Sequence, residues 1–462
     1  MQTTKTTGKA SKGQTKVTTN KWKEKAIVYR KEKEYLKKRL KEVIASRENW
    51  KAKYKSALNE QTSKGLSSGE KAARHQYSLM IVQFILSLYQ YGGMSLRSCR
   101  HCLTCLYICQ QLSGRIPSVN SIRNWSCKAG IHRVRASATA IGDYVIYVDE
   151  SITFGSDKIL LILGVELEKF RFGNALTHED VEVLYVGISK EWTGKAIKTI
   201  LDRVTTNKKI LYVVSDEGRN LVNAYKLLNY SHIKDCTHKL SNYIKRLFEK
   251  DPLFESFRKL IGQLRKAWNL SKTKSKYMPP SMRGKLRFAN IFPCVNWAKE
   301  QLNNWGELPA EIQSSLSFLK ENEGFIKSLM EVEKIFKMVC KVLKTKGFGI
   351  AQKQELQAEL AKLEVGHKAN IFFKNCQDYL LELTKQQANL GVKNLLCTSD
   401  IIESYFGKFK YKVNTNSPRR LSEFIYTIAI FGKPFSIEET KQALENIKCK
   451  HLKLSIIETK AA

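Results

Sequence analysis

The sequence predicts an α/β protein: a mixed sheet with a large all-α insertion, preceded by a coiled-coil helix and an all-α helix-turn-helix domain. Three observations predict it. Two apolar runs, Tyr144–Val148 and Ile210–Val214, show no alternation and are rich in β-branched and aromatic residues, as strands covered on both faces are. Residues 250–394 then read as mostly helix, which makes them an insertion between two stretches of α/β texture. Ahead of the first strand, residues 21–62 follow a heptad and residues 70–135 divide into short capped helices.

Composition bounds the function classes. The 462 residues give room for two to four domains, and 43% of them are apolar, enough for sizeable cores. Lys and Arg number 79 against 43 Asp and Glu, a formal net charge of +36, which favours a polyanionic partner; Lys-rich solvated faces would raise the charge without one. No run of about 18 apolar residues appears, so no membrane partner is expected. Residues 1–20 lack an apolar core, which argues against a signal peptide. Eleven Cys, an odd number set mostly inside apolar periodic segments, fit reduced thiols in a cytosolic or nuclear compartment better than a disulfide framework.

In chain order, residues 1–20 read as a disordered basic arm or simply a loose terminus. Trp22, Tyr29, Leu36, Val43, Trp50 and Ala57 then fall seven apart, with Ala26, Leu40 and Tyr54 interleaved, while Lys33 and Arg47 occupy the same seam. This is a dimerising coiled coil of about 60 Å at 1.5 Å per residue, or one amphipathic helix folded back on its own protein. Gly65–Gly69 is a short hinge. Gln76–Tyr91 reads as a buried helix stopped by Gly92 and Gly93, Ser95 caps a helix from Leu96 to about Gln111, and Ile116-Pro117-Ser118 leads into a third helix over Val119–Lys128. As a helix-turn-helix the third helix would present Asn120, Arg123 and Asn124 to a DNA groove and turn Ile122 and Trp125 inward; an ordinary helical subdomain is the plainer alternative. Cys99, Cys102, Cys105 and Cys109 share one face of the second helix, with His101 between them. Core packing suits them better than zinc, which usually draws ligands from two elements.

The catalytic-type signals begin at residue 140. The run Tyr144–Val148 stops at Asp149 and Glu150, and a carboxylate at the end of a buried strand costs desolvation unless a cation answers it. Strands over Lys158–Glu166 and Val181–Ser189 follow with short connections and suit an antiparallel meander. A helix over Thr193–Val204 then lets Lys209–Ser215 lie parallel to the first strand, so that Asp149 and Asp216 emerge at the same sheet end. Two carboxylates there can hold divalent metals. A helix from about Asn220, a fifth strand within Ser231–His238 and a helix over Lys239–Phe248 complete residues 140–249. In the insertion, the Lys272–Arg287 loop would touch a DNA backbone or remain a solvated loop, and Trp268, Trp297 and Trp305 would pack or stack on a base. Residues 395–435 return to the core: Ser399 can cap a helix with Glu403 in its first turns and Lys410 two turns along the same face. Residues 436–462 form a C-terminal helical tail.

The order strand–Asp149, strand–Asp216, helical insertion, helix–Glu403 resembles the DDE transposases and integrases, with a ribonuclease-H-like fold over residues 141–250 and 395–430. Glu403 with Lys410 is similar to the Glu-x6-Lys/Arg pattern of bacterial insertion-sequence transposases. Asp235-Cys236-Thr237-His238 resembles the C/D-x2-H signature of hAT and Mutator-like transposases, and Arg115–Trp125 looks like the helix-turn-helix segment of insertion-sequence enzymes. Asp400 competes with Glu403 for the third acid, and the long separation of Asp216 from Glu403 departs from compact integrases.

The resemblance implies a DNA transposase that cleaves and transfers DNA strands with two Mg²⁺ or Mn²⁺ ions held by Asp149, Asp216 and Glu403. Lys410 would orient a phosphate, and Asp235 and His238 would support the site, His238 either against Asp235, against phosphate or in a purely structural role. The implied partners are double-stranded DNA, as element ends and target, and further copies of the chain, a dimer or larger on DNA, with no small-molecule cofactor. The implied location is the nucleoid of a prokaryotic cytoplasm, or the nucleus of a eukaryote. Two rival readings are a transposase-derived DNA-binding protein without activity and a ribonuclease-H-like nuclease without strand transfer.

Overall fold

The computed structural model describes residues 69–109, 115–154, 157–282, 289–416 and 422–452, together with part of 30–48. Two compact units divide the chain, one of residues 1–68 with 103–116 and one of 69–102 with 117–462.

In the first unit, residues 39–45 are helical. Lys37 pairs with Glu34 at 2.9 Å and Arg39 with Glu42 at 3.1 Å, exposed pairs that add little stability. Leu36, Leu40 and Val43 are 63, 60 and 55% exposed, so the described part of the heptad seam is uncovered. Most of the heptad, the arm over residues 1–20 and most of the Gly65–Gly69 hinge lie outside the described residues.

The second unit holds the sheet. Its helices begin with α1 (Leu79–Gln90), capped by the Ser78 side chain, and α2 (Leu96–Cys109), whose last seven residues belong to the first unit. Helix α3 (Val119–Thr139) is capped by Ser118 and runs eleven residues beyond the expected Lys128. The reason is burial: every residue from Trp125 to Ile131 is buried, so the stretch reads as a core element and not as a surface helix. Gly130 allows this. A Cβ there would stand 1.8 Å from the Tyr426 carbonyl oxygen, so only a glycine lets the Ser422–Phe431 segment cross α3 at this distance.

Strands β1 (Gly142–Phe154), β2 (Asp157–Glu166), β3 (Glu182–Ser189), β4 (Lys208–Ser215) and β5 (His232–Lys234) form one mixed sheet in the order β3-β2-β1-β4-β5. The first three are antiparallel neighbours, and β1, β4 and β5 run parallel. Helix α4 (Gly194–Val204) is the crossover between β3 and β4, and α5 (Arg219–Leu228) joins β4 to β5. One sheet face carries Tyr144, Ile146, Val148, Ile162 and Val213 against Trp192, Ile197, Leu201, Leu221 and Tyr225, a core in which each of these residues is at most 2% exposed. Two boundaries differ from expectation. β1 continues through Asp149 to Phe154 because β2 pairs with it that far, and β5 is only three residues long because Asp235 caps the next helix, α6 (Cys236–Phe248).

The regular elements of the insertion among the described residues are helices, α7 (Pro252–Trp268), α8 (Phe292–Asn303), α9 (Ala310–Ser315), α10 (Ser317–Glu321), α11 (Glu323–Lys346), α12 (Ile350–Ala361) and α13 (His367–Leu390), with three short 3-10 turns and an isolated antiparallel bridge from Phe348 to Leu395. Phe325 meets Phe257 and, from the end of α6, Phe248 edge to face, with centroids 5.9 and 6.1 Å apart. Trp268 and Trp297 are buried, and the Trp297 indole donates to the Tyr277 carbonyl at 3.0 Å, so both pack. Helices α14 (Asp400–Asn416) and α15 (Ile437–Asn446) close the unit, α14 against β1 and α15 against α1 and α3. No helix among the described residues is long and apolar enough to cross a membrane.

Candidate active site

The parallel register of β1 and β4 determines how two acids meet. Tyr144 stands opposite Ile210, but Val145 stands opposite Tyr212, so Leu211 is an extra residue on β4 and the pairing resumes one step later, through Tyr147 and Val214. Asp149 and Asp216 are each two residues past that last pair. Without the extra residue, Asp149 would lie level with Ser215. Alternation along each strand puts Asp149 on the face of Tyr147 and Asp216 on the face of Tyr212 and Val214, away from the core of Tyr144, Ile146 and Val148.

The surroundings of the two acids are partly polar. Both are half-buried. One Asp216 oxygen accepts the Gly218 amide at 2.9 Å, holding the turn into α5. The Tyr225 hydroxyl donates to Ser215 Oγ at 3.1 Å; burial pushes this phenol up, the bond to Ser215 opposes that, and Asp216 and then Asp149 push it further up. Glu150 and Glu217 are drawn elsewhere. Glu150 faces Lys158 of β2 at 3.6 Å. Glu217 is held by Lys234 at 2.7 Å and Asn242 at 3.1 Å: burial raises its carboxyl, and Lys234, Lys239 and Asn242 outweigh burial and leave it below its ordinary range.

Residues 395–399 bring α14 to the same sheet end. The Leu396 amide donates to the Tyr212 hydroxyl at 2.8 Å, and the Cys236 amide donates to the Cys397 carbonyl at 2.8 Å. Asp235 links all three elements. Its amide donates to the Ser215 carbonyl at 2.9 Å, one carboxylate oxygen accepts the His238 amide at 2.8 Å, and the other accepts Ser399 N and Oγ at 2.6 and 3.0 Å. Only 1% of Asp235 is exposed, so it acts as a structural hub and not as a contact for substrate.

Glu403 lies in the first turn of α14, its side chain 52% exposed, with Oε1 3.7 Å from His238 Nε2. Burial, then the nearby Asp235 and Asp400 carboxylates, raise its carboxyl above the ordinary range, against the opposing pull of His238 and Lys344. Asp400, the competing acid, is engaged by Lys344 of α11 at 2.7 Å. Lys410 is half-buried two turns beyond Glu403 on the same helix. The donor chemistry of Asp149, Asp216 and Glu403 fits a hard divalent cation, and a cation would relieve the crowding of carboxylates around Glu403. Among the described residues no three His, Cys, Asp or Glu side chains stand close enough in this structure to hold one ion together.

On α3, Ile122 and Trp125 point inward, Trp125 edge to face with Tyr77 at 5.2 Å. Asn120 is exposed and Asn124 half-buried, whereas the Arg123 guanidinium is held by Glu423 at 2.5 Å and would have to leave that pair to reach DNA. Of the four cysteines of α2, Cys99 is buried, Cys102 half-buried, and Cys105 and Cys109 exposed, so core packing explains only the first.

Sequence reasoning did not identify Ser399 as an anchor for Asp235, Lys344 as the partner of Asp400, or Tyr225 beneath the two aspartates. An Asp opening a helix was a legible capping signal for Asp235. Lys344 had no local signal, since 56 residues separate it from Asp400. No protein-family model and no curated protein matches this chain.

Proposed function

We propose that the chain is a DNA transposase that binds the ends of a mobile element and carries out metal-dependent strand cleavage and strand transfer, with Asp149, Asp216 and Glu403 as its metal-ligating acids. One observation carries the reading: Asp149 and Asp216 stand at the same step beyond the parallel β1–β4 pairing, where the Asp235–Ser399 hydrogen bonds anchor the helix bearing Glu403. Two Mg²⁺ or Mn²⁺ ions, when bound, would supply the Lewis acidity that phosphodiester cleavage needs. The chain's own groups divide the remaining work. The three carboxylates hold charge, Lys410 steadies a phosphate, and the His238 imidazole beside Glu403 keeps that side chain oriented.

The net charge of +36 supports DNA as the partner, and the exposed Leu36, Leu40 and Val43 support self-association through the heptad. Residence with DNA, in a nucleoid or a nucleus, follows from the same reading. The test uses the full chain and linear duplexes carrying the DNA that flanks its gene. Asp149→Asn is expected to abolish nicking in Mg²⁺ while leaving duplex binding intact. An Asp149→Asn protein that nicks as fast as the wild type rules the assignment out.

A further inference from the structure

We propose that a cleft along α5 binds the phosphodiester backbone of DNA beside Asp216, an inference that rests on the reading of this site as one that processes DNA. The cleft measures about 730 Å³ and is lined by Arg219, Asn220, Asn223 and Lys226 of α5 and by Lys234 of β5. Arg219, Asn223 and Lys226 are spaced by four and three residues, so they form one stripe on the helix. All three are exposed to solvent.

Charge in the cleft is one-sided. Its single acid is Glu217, whose carboxylate is already occupied by Lys234 and Asn242. Among the described residues neither Arg219 nor Lys226 has an acidic partner, unlike Lys198 of the neighbouring α4, which pairs with Asp202 at 3.0 Å. Two unanswered cations with amide donors between them suit phosphate oxygens, Arg by its planar fork and Lys as a point charge.

The spacing selects a polymer over a single phosphate. Arg219 and Lys226 are seven residues apart, about 10 Å along the helix at 1.5 Å per residue, which is roughly three nucleotide steps at 3.4 Å per strand. Donors that converge on one point would mark a phosphate pocket, whereas these are strung along a line. The line starts three residues after Asp216, at the turn that ends β4, so its first cation adjoins the sheet end where the two acids emerge.

The experiment measures affinity of the full chain for a fluorescent DNA duplex across a series of salt concentrations. Replacing both cations, Arg219→Ala with Lys226→Ala, is expected to make the slope of log affinity against log salt shallower by about two. Lys198→Ala, which removes a charge of the same sign from α4, is expected to leave the slope unchanged. Thermal melts coincident with the wild type establish that the exposed substitutions spare the fold. A double variant with the wild-type slope and affinity overturns the inference, as does displacement of the duplex by inorganic phosphate at constant ionic strength. Cleavage assayed in parallel separates the two claims. Wild-type cleavage with an unchanged slope in the double variant removes the cleft alone, and a shallower slope with no Asp149-dependent cleavage removes the catalytic reading alone.

Discussion

Asp235 and Ser399 are 164 residues apart in sequence and joined by two hydrogen bonds to one carboxylate oxygen, from Ser399 N at 2.6 Å and from its Oγ at 3.0 Å. This contact closes the loop between the sheet and the helix that returns after the insertion. Asp235→Ala leaves the buried donors of Ser399 and the His238 amide unanswered, at about 1–3 kcal/mol for each unsatisfied group. Ser399→Ala removes only the hydroxyl bond and is expected to cost about 1 kcal/mol. Urea midpoints measure both. Equal midpoints for wild type and Asp235→Ala would show that the hub contributes nothing to stability.

Glu403 carries a pH prediction. Its carboxyl is raised by burial and by Asp235 and Asp400, so it takes up a proton at a higher pH than an ordinary glutamate as the solution is acidified. A protonated carboxyl is a poor ligand, and Mn²⁺ affinity should therefore weaken before the ordinary carboxylate range is reached. Asp400→Asn removes a like charge and should move that loss to lower pH. Calorimetric Mn²⁺ titrations at a series of pH values test this; curves for wild type and Asp400→Asn that superimpose would exclude the proposed coupling. The stability term has its own sign. A carboxyl raised in the folded state stabilises the fold below its unfolded value, and that contribution is lost as pH rises through the folded value.

These contacts show where sequence reading succeeds and where it stops. Tyr144–Val148 and Ile210–Val214 could be read as strands because buried parallel strands have a distinctive composition, and the helix between β3 and β4 implied their parallel arrangement. The extra residue at Leu211 was invisible. Nothing in an apolar run marks which residue goes unpaired, yet that residue decides whether Asp149 stands level with Asp216 or with Ser215. The extension of α3 was hidden for a related reason: Lys128 and Gly130 look like surface and break signals until the Tyr426 backbone is seen crossing them. Hub contacts such as Asp235 with Ser399 join distant segments and have no periodicity to read.

Lys412 gives a second pH prediction. It is only 3% exposed on the last turns of α14, where its ammonium donates to the carbonyls of Tyr89 and Met94 and lies 4.2 Å from the Tyr89 ring centre. Burial first, with Lys408 adding to it, lowers its pKa to about 8, against the opposing effect of Cys99. The unfolded chain then holds more protons than the folded one between about 8 and the ordinary lysine value of about 10.4, so stability should rise with pH across that window. The full rise is about 3 kcal/mol at 1.36 kcal/mol per unit. Chemical denaturation at pH values across the window measures it, and Lys412→Met is expected to flatten the rise. A wild type whose stability is level there would contradict the buried charge.

The exposed seam of the first unit makes the last prediction. Leu36, Leu40 and Val43 are more than half exposed, and burying each against a partner would contribute about 1.5–3 kcal/mol. The heptad places all three on one stripe, which a second copy of the same helix can cover. Leu36→Lys, Leu40→Lys and Val43→Lys together would put repelling charge along that stripe, and deletion of residues 1–62 would remove it. Both changes are expected to lower the mass measured by light scattering, because each acts on the same association. A truncated protein with the wild-type number of copies would assign any self-association to another surface, and a triple variant that remains fully associated while the truncation dissociates would move the contact to other residues within 1–62.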